Sequence, residues 1–220
     1  MTAADQRPRV VVIDDSTVIR GGFAAVHPDL EVVATFSDVE SFEATPVECD
    51  VVMLDLLLRG PQGLDTGTKQ GRAAIRALTA LDARVCLYSD ERRALVLALC
   101  LRAGASGVVH KSDSPEATGA AVRDIAGGQV VITQSLVGLT ELLDRRAGLE
   151  LSERQRDVIS GRARGRSWNA IASSLFITED TARDHYKAAC AKLRGYLQAA
   201  SPGDVERALG IAPGDVLGSE

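Results

Sequence analysis

Two apolar rhythms share the first part of the chain. Arg9-Val-Val-Val-Ile13, Asp50-Val-Val-Met-Leu-Asp55 with its continuation Leu56-Leu57-Leu58, Val85-Cys86-Leu87-Tyr88 and Gly107-Val-Val-His110 are runs without alternation, the pattern of strands buried on both faces of a parallel sheet. Glu31-Val-Val-Ala-Thr-Phe36 reads as a further strand. Between these runs the spacing turns helical. Ser16 caps a helix whose Val18, Ile19, Phe23 and Val26 form one apolar face, and His27 before Pro28 ends it. Asp38 to Ala44 is a short helix, Arg72 to Leu81 another. Asp90 to Leu101 is a third, with Leu95, Ala98 and Leu99 inward and Arg92 and Arg93 toward water. Ser114 and Pro115 start a helix that runs to Gly127-Gly128. Strands alternating with helices predict a five-stranded parallel sheet covered on both faces, an α/β fold. Met1 to Pro8 reads as a frayed terminus. The stretch from Arg59 to Gly71, with four glycines and a proline, must be a loop.

Beyond Gly128 only the helical rhythm remains. Leu136, Leu139, Leu142 and Leu143 predict an amphipathic helix able to dock on either neighbouring domain. Ser152 and Gln155 have capping-box spacing, with Val158 and Ile159 on the buried side and Gly165 at the end. Ser167 caps a short helix with Ala170, Ile171 and Leu175 inward. Phe176-Ile177 then forms a turn, and Thr178 caps a longer helix from Glu179 to about Tyr196. Short helix, turn, longer helix is a helix-turn-helix unit in an all-α domain. On the longer helix Ala182, Tyr186, Ala189 and Leu193 share a core-facing stripe with Cys190 at its margin, and Arg183, Asp184 and Lys187 share another. Ser201 to Gly210 repeats the signs of a short helix, and Asp215 to Glu220 reads as disordered. The expected organisation is a first domain over 8–127, a linker over 128–148, a helical domain over 149–210 and a tail over 211–220.

Composition narrows the class. A chain of 220 residues, 45% hydrophobic and 25% charged, is an ordinary globular protein of one or two domains. Nothing resembles a signal peptide or a span, so a cytoplasmic location without a membrane partner is expected. Cys49, Cys86, Cys100 and Cys190 lie in apolar patterns without metal-ligand spacing and read as buried thiols. The net charge of -5 is uneven: residues 149–198 hold nine Lys or Arg against six Asp or Glu, a surplus of three positive charges. That segment is the candidate for a polyanion.

The candidate chemistry sits at strand ends. In open α/β sheets ligands bind at the carboxyl edge, where Asp14, Asp15 and Asp55 would meet. Crowded carboxylates repel one another and recruit a cation, and oxygen-only donors suit Mg2+. Ser89 adds a hydroxyl, and Lys111 a fixed charge able to neutralise phosphoryl oxygens. The set Asp14, Asp15, Asp55, Ser89 and Lys111, with Gly104-Ala-Ser-Gly107 before the lysine, resembles the receiver domain of bacterial two-component response regulators over residues 8–127. The resemblance implies a flavodoxin-like α/β fold, phosphorylation of Asp55 by a sensor histidine kinase, Mg2+ held by the three aspartates and the backbone carbonyl of Leu57, and a regulator rather than an enzyme. Two departures stand out. Leu58-Arg59 replaces the usual Met-Pro and opens a longer loop, either a tolerated surface insertion or a flap beside the pocket. Val108 stands where many receivers carry Tyr or Phe three positions before the lysine, which alters the switch or passes part of it to Tyr88.

A second resemblance covers the helical domain. Leu151-Ser-Glu-Arg-Gln-Arg-Asp-Val-Ile159, Ile171-Ala172, Leu175-Phe-Ile-Thr-Glu-Asp-Thr181 and Lys192-Leu193 are similar to the LuxR-type domain of the NarL/FixJ regulators. It implies duplex DNA as partner, and a homodimer when active. Arg183, Asp184 and Lys187 are the candidates for base edges in the major groove. Arg166, Ser167, Trp168, Thr178 and Thr181, clustered at helix starts, are candidates for phosphates. His185 reads as a packed residue. The alternatives are an orphan regulator that binds DNA without phosphorylation, and a receiver acting as a protein-interaction switch.

Overall fold

The computed structural model describes residues 7–58 and 69–209. Its elements, in chain order, are β1 (Arg9–Ile13), α1 (Thr17–Val26), β2 (Glu31–Phe36), α2 (Val39–Ala44), β3 (Val51–Leu54), α3 (Gly71–Thr79), β4 (Val85–Ser89), α4 (Ala94–Ala103), β5 (Gly107–His110), α5 (Pro115–Ala126), α6 (Gln134–Ala147), α7 (Glu153–Ala163), α8 (Trp168–Leu175), α9 (Glu179–Ala199) and α10 (Pro202–Leu209). Contacts divide the chain into two units, Met1–Arg92 with Leu99–Val131 and Arg93–Ala98 with Ile132–Glu220.

In the first unit the five strands pair in parallel in the order β2-β1-β3-β4-β5. The unalternating runs are fully buried in β3 and nearly so in β1, whereas edge strand β2 is half-exposed. One core cluster joins Val10, Val12, Val51, Met53, Cys86 and Val109 of the sheet to Phe23 of α1 and Val122 and Ile125 of α5. Ser16 and Ser114 cap α1 and α5 as their types predict, accepting from the N–H groups of Ile19 and Ala117.

Several expectations need correction. The strand ends at Leu54 and so delivers Asp55 to its carboxyl end as expected, but the leucine run beyond it is not buried throughout: Leu57 is exposed while Leu56 and Leu58 are buried. On α1, Val18 is 81% and Val26 52% exposed. Val18 lies five residues before Phe23 and so points away from the sheet, and at the helix end His27 takes the buried place in stead of Val26. Helix α4 starts at Ala94 and buries Leu97, Ala98, Cys100 and Leu101, with Leu95 and Leu99 only half-buried. Its sequence Ala-Leu-Val-Leu-Ala-Leu-Cys-Leu is apolar on every side, so periodicity alone cannot select the inner face. Pro8 is tied down, its carbonyl accepting from the N–H of Glu31 at 2.9 Å. Residues 59–68 of the glycine-rich loop lie outside the described residues, as do 1–6 and 210–220. The loop's last residues are described: Lys69 donates its backbone N–H to Glu40 and pairs through Nζ with Glu43.

The first unit continues past Gly128. Val131 bridges Gly107 in parallel, its carbonyl accepting from the N–H of Val108 at 3.0 Å. In the second unit α6 packs on α7 and α10, burying Leu136, Val137, Leu139 and Leu143. Asp144 fastens it, accepting from the Leu151 N–H at 2.9 Å and from Arg156 Nε at 2.6 Å. The amphipathic helix therefore docks on the helix-turn-helix side. The capping box of α7 is formed, and Gly165 takes the left-handed conformation after it. Val158, Ile171, Ala172 and Ala182 form one buried cluster of the unit, so Ala172 joins the inward set and Ala170 is only half-buried. Helix α9 runs beyond Tyr196 because Leu197 prolongs the buried stripe of Ala182, Ala189 and Leu193, and Cys190 is wholly inside that stripe.

Candidate functional site

The carboxyl edge of the sheet gathers three of the predicted side chains. Ligand oxygens of Asp14, Asp15 and Asp55 all lie within 4.8 Å of one another. The ladder carries them there, since Asp55 donates its N–H to Ile13 at 2.8 Å and Asp14 donates its own to Phe36 at 3.2 Å. Asp14 is further fixed by the Ser16 N–H on Oδ1 and by Arg20, which donates to its backbone carbonyl. The Arg20 support has no sequence motif and was not expected.

Lys111, just past β5, reaches into this cluster, with Nζ 2.9 Å from Asp14 Oδ2 and 3.3 Å from Asp55 Oδ2. Burial works against the Lys111 charge, but the hydrogen bond to Asp14 and the charges of Asp55 and Asp14 outweigh it and hold the ammonium above its ordinary range. Burial pushes the Asp55 carboxyl up, only partly opposed by Lys111, and the charge of Asp14 adds to the rise. Three carboxylates meet one ammonium here, and an oxygen-only donor set of this kind fits a hard divalent cation. The Leu57 backbone N–H is directed at the Asp55 carboxylate. Ser89 is buried at the tip of β4, where Leu87 pairs with Leu54 of the aspartate-bearing strand, and its Oγ accepts from the Glu91 N–H at 3.2 Å.

Val108 is buried on β5, so no aromatic ring occupies that position. The Tyr88 ring lies 5.8 Å from Lys111 Nζ and packs edge-on against Phe23 and His27. The thiols of Cys86, Cys100 and Cys190 are pushed up to about 12 by burial, and Cys49 is only half-buried.

On the second unit the predicted contact residues divide by role. Ser167 and Thr178 are helix caps, accepting from the N–H groups of Ala170 and Thr181. Thr178 and Thr181 hydroxyls also meet at 2.8 Å. Arg166 is exposed and donates to the Ala170 carbonyl at 2.8 Å. Asp184 is exposed, while Lys187 and His185 are half-buried. Arg183 pairs with Glu179 at 3.1 Å and Asp180 at 3.7 Å, and its Cζ lies 5.3 Å from the Trp168 ring centre. A second guanidinium, Arg162, lies 4.6 Å from the same ring. That residue escaped sequence reasoning, because nothing in its local pattern distinguishes it from a solvated arginine.

A parallel sheet with an acidic triad and a lysine at its carboxyl edge, joined to a helix-turn-helix unit, defines the class of two-component response regulators. No protein-family model matches the chain. The nitrate/nitrite response regulator NarP of Escherichia coli is 34% identical over 198 residues, covering 84% of this chain and 88% of that protein. NarL of the same organism is 29% identical, covering 87% and 92%, and the transcriptional regulatory protein LnrK of Bacillus subtilis 27%, covering 84% and 90%. The RcsB response regulator of Salmonella typhimurium shares the fold with a TM-score of 0.52 at 19% identity, covering 93% of this chain and 99% of that one. A response regulator RcsB-DNA complex matches with a TM-score of 0.53 at 19% identity, covering 93% and 98%. The chain belongs to the NarL/FixJ-type response regulators. Among the described residues no helix is long and apolar enough to cross a membrane.

Proposed function

We propose that the protein is a transcription regulator that binds duplex DNA as a homodimer and is controlled by phosphorylation of Asp55 by a sensor histidine kinase. The observation that carries the phosphorylation reading is Lys111 Nζ lying within ion-pair distance of both Asp14 and Asp55. An Asp55 carboxylate oxygen attacks phosphorus, the phosphorus–nitrogen bond of the donor phosphohistidine breaks, and an acyl phosphate forms on Asp55. Asp14, Asp15, Asp55 and the Leu57 carbonyl would hold Mg2+, which supplies neutralisation of phosphoryl charge when bound. Lys111 neutralises a phosphoryl oxygen, and Ser89 donates a hydrogen bond to another.

For the output side, Arg183, Asp184 and Lys187 of α9 read base edges, and Arg166, Ser167, Thr178 and Thr181 contact phosphates. What supports this reading is the positive surplus of residues 149–198 in an acidic chain, together with DNA in the complex of the RcsB neighbour. The domain limits proposed are those of the sequence reading, 8–127, 128–148, 149–210 and 211–220. Incubation with a small phosphodonor and Mg2+ tests control: intact-mass analysis should detect one added phosphoryl group on the wild type and none on Asp55→Asn. A second reading, DNA binding without phosphorylation, is favoured by Val108 in place of an aromatic side chain. It predicts equal DNA affinity for wild type with and without phosphodonor.

A further inference from the structure

Trp168 opens α8 at a position read from the sequence as a phosphate contact. Its surroundings suit a different task. The ring is half-buried against the core of Val158, Ile171, Ala172 and Ala182, and Tyr186 meets it edge-on at 5.3 Å and 82°. It is therefore anchored from below by helices that share its unit. Over this anchored ring lie the guanidinium groups of Arg162 and Arg183, at 4.6 and 5.3 Å from its centre. Arg162 is itself tethered, donating to the Arg166 carbonyl at 2.7 Å. Arg183 is held along its edges by Glu179, one turn back on α9, and by Asp180.

An arginine side chain loses rotamer entropy when it is fixed. A long cation left free on α9 would meet that cost at the moment of base recognition. Arg183 has already been ordered by a ring and two carboxylates. A phosphate contact needs only charge in the right neighbourhood, whereas a bidentate contact to guanine needs the guanidinium plane in one orientation. Pre-ordering therefore favours discrimination more than general affinity.

We infer that Trp168 is a positioning residue for base recognition, its ring fixing the Arg183 guanidinium so that it sets how sharply the protein discriminates between sequences. This rests on the DNA-binding reading above. The partner chemistry is a guanine edge in the major groove of duplex DNA, met by Arg183 and not by Trp168 itself.

The test uses the full-length protein and two probes: the duplex that wild type recovers best from a randomised pool, and the same duplex scrambled. Trp168→Leu should reduce the affinity ratio between the two probes by about tenfold, while affinity for the scrambled probe and the salt slope stay at wild-type values. Trp168→Phe, which keeps an aromatic face, should restore most of the ratio. Trp168→Leu added to Arg183→Ala should lower the ratio no further than Arg183→Ala alone. Because the chain has one tryptophan, its emission reports the stack directly, and Arg183→Gln should change it in the free protein even if the leucine variant fails to fold. Equal losses on both probes, an additive double variant or an emission spectrum indifferent to Arg183 would overturn the inference and leave the DNA-binding reading standing. Wild type that recovers no duplex from the pool would overturn both.

Discussion

His27 shows how one residue couples packing to pH. Its ring is 1% exposed and lies 4.5 Å from the Phe23 ring. Burial lowers its proton affinity below the ordinary value of 6.5, with the carboxylate of Asp29 and a hydrogen bond to the Pro115 backbone opposing only in part. The unfolded chain, whose histidine keeps the ordinary value, binds more protons than the folded one below that pH. The neutral ring's contribution is thus fully present above 6.5 and declines as pH falls through the unfolded value toward the depressed folded one. Urea denaturation at pH 7.5 and at roughly pH 5.5 should show the wild type losing stability by at most about 1.4 kcal/mol per pH unit through this group. His27→Phe keeps the aromatic packing and should remove that part of the slope; a variant with the wild-type slope would show that other groups cause it. The sequence placed His27 at a helix end, and it is there. Its burial could not be read, because a histidine before a proline looks the same in water.

Among the elements, the strand tips were the most legible part of the molecule. Asp14, Asp15 and Asp55 follow apolar runs that only a central parallel strand tolerates, so the order of residues already fixed the edge on which they met. Helix faces were less legible: α4 is apolar all round, and α1 needed the contact of Phe23 with the sheet to decide against Val18. Two contacts between elements lacked any local signal. Gly107 leaves room at the start of β5 for the passing chain, where an added Cβ would lie 2.7 Å from Ile125 Cδ1 and 2.9 Å from the Val131 carbonyl. Gly107→Ala must displace that backbone, so a loss of about 1–3 kcal/mol is expected in chemical denaturation of the receiver unit. The second is α6, which the chain's rhythm left free to join either neighbour. With Leu136, Val137 and Leu143 nearly inaccessible in the structure, removing it uncovers side chains worth about 1.5–3 kcal/mol each. A fragment over 132–209 should melt cooperatively by circular dichroism, and one over 149–209 should melt far lower or without a transition. Equal melting of the two would show that α6 adds nothing to the unit.

At the scale of the whole molecule, charge is distributed against the proposed partner. The chain carries -5 in total although residues 149–198 hold a surplus of three positive charges, so the remainder repels a polyanion that the recognition segment attracts. The short contacts proposed for Arg183 and Lys187 are little affected by distant carboxylates in salt, but the first encounter is governed by the longer-range field. Residues 132–209 contain twelve Lys or Arg against ten Asp or Glu, a net of +2 compared with -5 for the full chain. This fragment should therefore associate with an arbitrary duplex faster than the full chain in about 20 mM salt, with the gap closing near about 0.5 M, where screening leaves only a few ångströms of reach. Stopped-flow measurement across that range checks it. A gap that persists undiminished at high salt would mean that the receiver unit hinders binding by contact or by occlusion, and not through its field.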